Sequence, residues 1–99
     1  MRLTIEQRHI IKEAVFAQFG VESAVWLFGS RVDDSQRGGD IDLYVQVKDQ
    51  SMDLLQAELS LHANLIKKLG DQRVDLVIHQ ANQRIKPIHE QALKTGVQL

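Results

Sequence analysis

The chain has no cysteine, which excludes disulfide frameworks and thiolate metal sites and agrees with a reducing compartment. It has one proline and six glycines in 99 residues, with 43% of residues apolar. Disordered chains do not have that balance. No apolar run reaches signal-peptide or membrane-spanning length, so a cytoplasmic protein is expected. Positive charge is not in surplus either. The formal net charge is −1, and Lys67-Lys68 is the only adjacent basic pair. A surface that neutralises nucleic-acid phosphates is therefore not expected. The length allows one small domain, taken as residues 1–99.

What the chain does have is concentrated in one stretch. Phe28-Gly29-Ser30-Arg31 is followed by Gly38-Gly39-Asp40-Ile41-Asp42-Leu43-Tyr44-Val45. A Gly-Ser turn comes first, then a polar loop, then two aspartates one residue apart at the start of an apolar strand. Strand side chains alternate faces, so Asp40 and Asp42 point the same way. Like charges in that position repel unless a cation lies between them, and a hard divalent ion such as Mg²⁺ takes oxygen ligands and shares its shell with phosphates. Gly29 allows close backbone approach to a ligand, and Ser30 offers a hydroxyl and an N–H to an anion. Together these residues point to phosphoryl or nucleotidyl transfer.

The flanking pattern places this stretch in an α/β chain. Thr4-Ile5-Glu6-Gln7 has the form of a capping box, opening a helix that runs to Phe19 and ends at Gly20. Residues 23–28 read as a buried strand, with Trp26 and Phe28 as core. A short helix is expected near Arg31, then a second strand from Asp40 to Val47. Its core side is Ile41, Leu43, Val45 and Val47. A second long helix spans Met52 to Leu69, with its stripe read as Met52, Leu55, Leu59, Ile66 and Leu69, widened by Leu54, Leu61 and Leu65. Residues 73–78 form a third strand, Pro87 opens a last helix, and residues 97–99 suit a short final strand. The second and third strands, joined by a helix, are expected to run parallel. The fold expected is a small mixed β-sheet covered by helices.

Asp75 stands alone among Val74, Leu76, Val77 and Ile78, a strand read as buried, where a charge rarely stands without a partner. Were its strand to lie beside the second one, Asp75 would face Asp40 and Asp42 and complete a three-carboxylate cluster. Such a cluster can hold two Mg²⁺ ions about 3.5–4 Å apart, one activating the attacking oxygen and one steadying the leaving group. Ser30 and the N–H groups after Gly29 would take the β- and γ-phosphates, with Arg31 as counter-charge. Attack at the α-phosphorus would then transfer a nucleoside monophosphate. Arg31 pairing with Asp33 or Asp34 is the plain structural alternative. His9, His62, His79 and His89 have no metal-ligand spacing; a solvated or hydrogen-bonded strand-end role is expected for His79, and a sheet-filling one for Tyr44.

Gly29-Ser30, nine residues, Asp40-Ile41-Asp42 and a later Asp75 resemble the nucleotidyltransferase superfamily related to DNA polymerase beta. The short length resembles its minimal nucleotidyltransferases in particular. The resemblance implies a polymerase beta-like core, with Asp40, Asp42 and Asp75 as metal-binding catalytic residues and Gly29, Ser30 and Arg31 as the nucleotide-binding ones. It further implies two Mg²⁺ ions, ATP as substrate, and the antitoxin role of a type VII toxin–antitoxin (HEPN/MNT) pair. There AMP passes to a tyrosine of a HEPN-type RNase toxin within a hetero-oligomer. One departure is that Val32-Asp33 follows Gly-Ser-Arg where family members often carry a small residue and a second arginine. The alternatives are transfer to RNA or a small molecule, or a catalytically idle antitoxin that neutralises its partner by contact through residues such as Leu61 and Leu65.

Overall fold

The computed structural model describes residues 3–32, 39–48, 53–70, 72–81 and 83–99, with Ser30 described for its backbone only. Helix α1 (Ile5–Phe19) begins at the expected capping box. Thr4 Oγ1 accepts from the Gln7 N–H at 3.0 Å, and Gln7 Oε1 accepts from the Thr4 N–H at 3.0 Å. Strand β1 (Ala24–Phe28) runs directly into a 3-10 turn, Gly29–Val32, two residues earlier than the short helix expected near Arg31. Strand β2 (Ile41–Val47) leads through helix α2 (Leu54–Leu69) to strand β3 (Val74–Gln80). Helix α3 (Pro87–Thr95) and the two-residue strand β4 (Val97–Gln98) close the chain. Met52, expected in α2, lies outside the described residues, as do Asp33 and Asp34; α2 is capped instead by Asp53, whose Oδ1 accepts from the Gln56 N–H at 3.2 Å.

The sheet is mixed, in the order β3-β2-β1-β4. β1 is antiparallel to β2 and β4, while β2 and β3 are parallel, as a helical crossover requires. One face carries the main core. Val25, Leu27, Ile41, Leu43, Val45 and Val47 pack against Ile11 and Val15 of α1 and Leu61 and Leu65 of α2. Each large side chain so buried contributes about 1.5–3 kcal/mol.

That packing corrects the stripe read on α2. Ala57, Leu61 and Leu65 face the core, and Leu55, Leu59 and Ile66 face outward. Leucines occupy both sets of positions, so the 3.6-residue period alone fits either face. The contact role considered for Leu61 and Leu65 falls with it, since both are fully buried.

The other face of the sheet is only partly covered. α3 lays Ala92 and Leu93 over Trp26, Phe28, Tyr44 and Val77, a second small core. Two residues before Tyr44 on β2, and two before Val77 on β3, lie Asp42 and Asp75. Hence α3 divides this face into a closed, aromatic part and an acidic end. Among the described residues no helix is long and apolar enough to cross a membrane.

Candidate active site

Asp42 is the pivot of the acidic end. It pairs in register with Phe28 of β1 on one side and with Asp75 of β3 on the other. Paired residues of neighbouring strands point the same way, so the two carboxyls lie side by side. Burial is the first cause that raises Asp42 above the ordinary carboxylate range, followed by the negative charge of Asp75, then that of Asp40, and the close approach of the Asp75 carboxyl. Asp75 itself is exposed, because β3 is an edge strand. The enclosed charge expected from its apolar neighbours in sequence is therefore not what the fold provides.

Gly29 accounts for the room Asp42 needs. Its φ of +77° is left-handed, which disfavours any residue with a side chain. A Cβ at this position would collide with the Asp42 carboxylate, its Cγ lying 3.1 Å away. The close approach that the sequence assigned to a ligand is, in the fold, an approach of Gly29 to Asp42. Ser30 follows in the same 3-10 turn.

Arg31 ties the surrounding loops together. Its Nε donates to the Gly39 carbonyl at 3.3 Å, just ahead of Asp40. Its Nη2 donates to Gln72 Oε1 at 2.6 Å, just ahead of β3. One guanidinium thus joins the Gly-Ser turn to the entry of both acid-bearing strands. Spacing gave no hint of Gln72, which is 41 residues away. Asp40 meets Arg73, Nε to Oδ2 at 3.5 Å, in an exposed pair of the kind that adds little stability.

The structure therefore brings Asp42 and Asp75 into contact, with Asp40 close enough for its charge to be felt by Asp42. Among the described residues no set of three His, Asp or Glu side chains is drawn together tightly enough to enclose a metal ion. The donor chemistry of the pair nonetheless fits a hard divalent cation: both ligands are carboxylate oxygens, and the neighbouring negative charges that raise Asp42 are what a cation would offset.

A second polar group lies further along the same strands. His79 Nε2 is 3.0 Å from the Gln83 carbonyl, which can only accept, so Nε2 carries the hydrogen. Nδ1 of His79 is then the acceptor for the Tyr44 hydroxyl at 2.9 Å, and Gln46 Nε2 donates to that hydroxyl oxygen at 3.1 Å. His89 stacks on His79 with ring centroids 4.2 Å apart and accepts the Lys86 N–H at 3.1 Å through Nδ1. Burial, then His79, then Lys86, lower the pKa of His89. The expectation of a hydrogen-bonded His79 holds. The contact with His89 could not be read from two histidines ten residues apart in sequence.

The family model for the Polymerase beta, Nucleotidyltransferase domain matches residues 10–99, from within α1 to the end of the chain. The chain belongs to the polymerase beta-like nucleotidyltransferase family. A comparison with curated proteins found no match. The matched span contains Gly29, Ser30, Asp40, Asp42 and Asp75, so the acidic end of this nucleotidyltransferase domain coincides with the motif that carried the resemblance. Members of the superfamily generally use a nucleoside triphosphate and a divalent metal. A carboxyl pair short of positive charge is the feature of this fold that such a metal would satisfy.

Proposed function

We propose that this nucleotidyltransferase transfers AMP from ATP to a hydroxyl of another protein, the tyrosine of a HEPN-type RNase, and thereby acts as the antitoxin of a type VII pair. The observation that supports transfer chemistry is the in-register Asp42–Asp75 carboxyl pair set against Gly29. A divalent cation, when bound, would neutralise the carboxylates and the nucleotide phosphates as charge develops at the α-phosphorus. Asp42 and Asp75 would hold it, with Asp40 alongside. Gly29 and Ser30 supply backbone N–H groups for the phosphates, and Arg31, anchored on Gln72 and Gly39, adds positive charge to the same loops. Asp75, exposed at the sheet edge, is open to the acceptor and takes its proton. The acceptor oxygen bonds phosphorus as the bond to pyrophosphate breaks. The protein acceptor comes from the likeness to minimal nucleotidyltransferases.

Incubation with labelled ATP, Mg²⁺ and the product of the neighbouring gene tests this reading. Label is expected on the neighbour and should fall by on the order of 100-fold or more with Asp42→Asn. Undiminished neutralisation of the toxin by Asp42→Asn would instead identify a binding antitoxin. Label on RNA alone would change the acceptor.

A further inference from the structure

The approaches to β2 and β3 run side by side one step ahead of the acidic pair. Ile41 pairs with Val74, and the Ile41 N–H donates to the Arg73 carbonyl at 2.9 Å, so Asp40 and Arg73 enter the sheet together. Their side chains meet, Arg73 Nε to Asp40 Oδ2 at 3.5 Å. The charge of Asp40 in turn bears on Asp42. The acidic end is therefore a group of three carboxyls and one guanidinium, with the guanidinium at its outer rim.

Arg73 is poorly built as a stabilising ion pair and well placed for a ligand. The contact is long and the arginine side chain is 77% exposed, so solvent screens the pair and little holds it shut. Only Nε is engaged: among the described residues, neither terminal nitrogen of the guanidinium has a hydrogen-bond or ion-pair partner. Its neighbour Gln72 accepts from Arg31 of the Gly-Ser turn at 2.6 Å. Two consecutive residues at the entry of β3 thus reach both the turn and the carboxylates. A guanidinium with an open edge takes phosphate oxygens through parallel hydrogen bonds.

We propose that Arg73 is an exchangeable counter-ion of this site: it neutralises Asp40, gives that carboxylate up to a divalent cation, and turns to the phosphates of the nucleoside triphosphate. The inference rests on the nucleotidyl-transfer reading above and adds a nucleotide-binding residue to it. Charge sets the order of events. Asp40 is drawn more strongly to a dication than to a screened guanidinium, and the guanidinium is repelled by that dication. Arg73 then regains a negative partner from the phosphates, whose geometry its fork matches better than a single long contact to Asp40. No covalent bond changes in the exchange.

Calorimetric titrations of the full chain and of Arg73→Gln test the exchange without reference to turnover, first with Mn²⁺ alone and then with a non-hydrolysable ATP analogue at saturating Mn²⁺. The side chain is exposed and the backbone carbonyl that accepts from Ile41 is kept, so the fold is retained. Arg73→Gln is expected to tighten Mn²⁺ about threefold, because Asp40 loses its competing cation, and to weaken the analogue about tenfold. In an Asp40→Asn background the gain for Mn²⁺ should vanish and the loss for the analogue should persist. Arg73→Lys, a charge without the fork, should give the Mn²⁺ affinity of the unmodified chain and only part of its affinity for the analogue. An affinity for the analogue that Arg73→Gln leaves unchanged would overturn the proposal and reduce the contact to a surface pair, with the nucleotidyl-transfer reading intact. Two affinities that fall together would also overturn it, since a merely structural residue behaves that way. An unmodified chain that binds neither Mn²⁺ nor the analogue would overturn the proposal together with the reading it rests on.

Discussion

The acidic end and the histidine end of the α3 side are built from the same two strands, four residues apart on each. Asp42 and Asp75 begin the row; Gln46 and His79 end it, with Tyr44 between on β2. At the histidine end Gln46, Tyr44, His79 and the Gln83 carbonyl form a continuous donor–acceptor chain, and His89 accepts the Lys86 N–H through Nδ1. At the acidic end the charges of Asp75 and Asp40 bear on a partly buried Asp42, and all three raise the cost of ionising it. Among the described residues no buried side-chain polar atom is left without a partner. The mismatch at the acidic end is therefore one of charge and not of hydrogen bonding. A polar group that is already satisfied serves structure, while one that waits for a cation is available for chemistry.

Breaking the acidic end should cost activity first. Gly29→Ala forces a methyl group into the Asp42 carboxylate from a left-handed backbone position. A shift of that carboxylate by about 1 Å is expected to lower turnover on the order of 100-fold while the fold persists. Steady-state kinetics with a circular-dichroism melt on the same sample separates the two effects. Breaking the histidine end should do the reverse. Tyr44→Phe leaves His79 Nδ1 without a donor and Gln46 without its acceptor. A loss of about 1–3 kcal/mol in denaturant-measured stability is expected, with turnover of the folded fraction nearly unchanged.

The two ends also titrate in opposite senses, which gives the smallest effect and the cleanest contrast. The folded state lowers the pKa of His89 below its ordinary 6.5, so the unfolded chain binds that proton first, and stability falls as pH drops below about 6.5. The folded state raises the pKa of Asp42 above 3.8, so its contribution is fully present below that value and is lost as pH rises through the raised one. Melting temperature against pH should therefore lose its fall on the mildly acidic side in His89→Gln, which keeps a capping acceptor at the same helix position. Asp42→Asn should remove the second dependence. Near neutral pH it should raise stability by less than about 1 kcal/mol once solvent screening is allowed for.

The acidic end was largely legible before any coordinates, because its logic is local. Alternation places Asp40 and Asp42 on one face, a helical crossover makes β2 and β3 parallel, and Asp75 then falls in register with Asp42. The Thr4 capping box and the short final strand were legible for the same reason. What could not be read depends on contacts between distant residues. The stack of His79 on His89 needs α3 folded over β3, and Arg31 finds Gln72 only once β3 lies beside β2. The facing of α2 was misread because leucines fill both candidate stripes, and the sheet alone decides between them. Asp75 looked enclosed in sequence because nothing local reveals that its strand stands at an edge.

The central claim is that Asp42 and Asp75 form a cation site shared with a nucleotide's phosphates. Titration of the protein with Mn²⁺ in the presence of a non-hydrolysable ATP analogue, followed by calorimetry, measures that directly. Saturable binding by the unmodified chain, largely abolished in Asp42→Asn and in Asp75→Asn, is the result predicted. Absence of Mn²⁺ binding, or binding that survives both substitutions unchanged, would contradict the account.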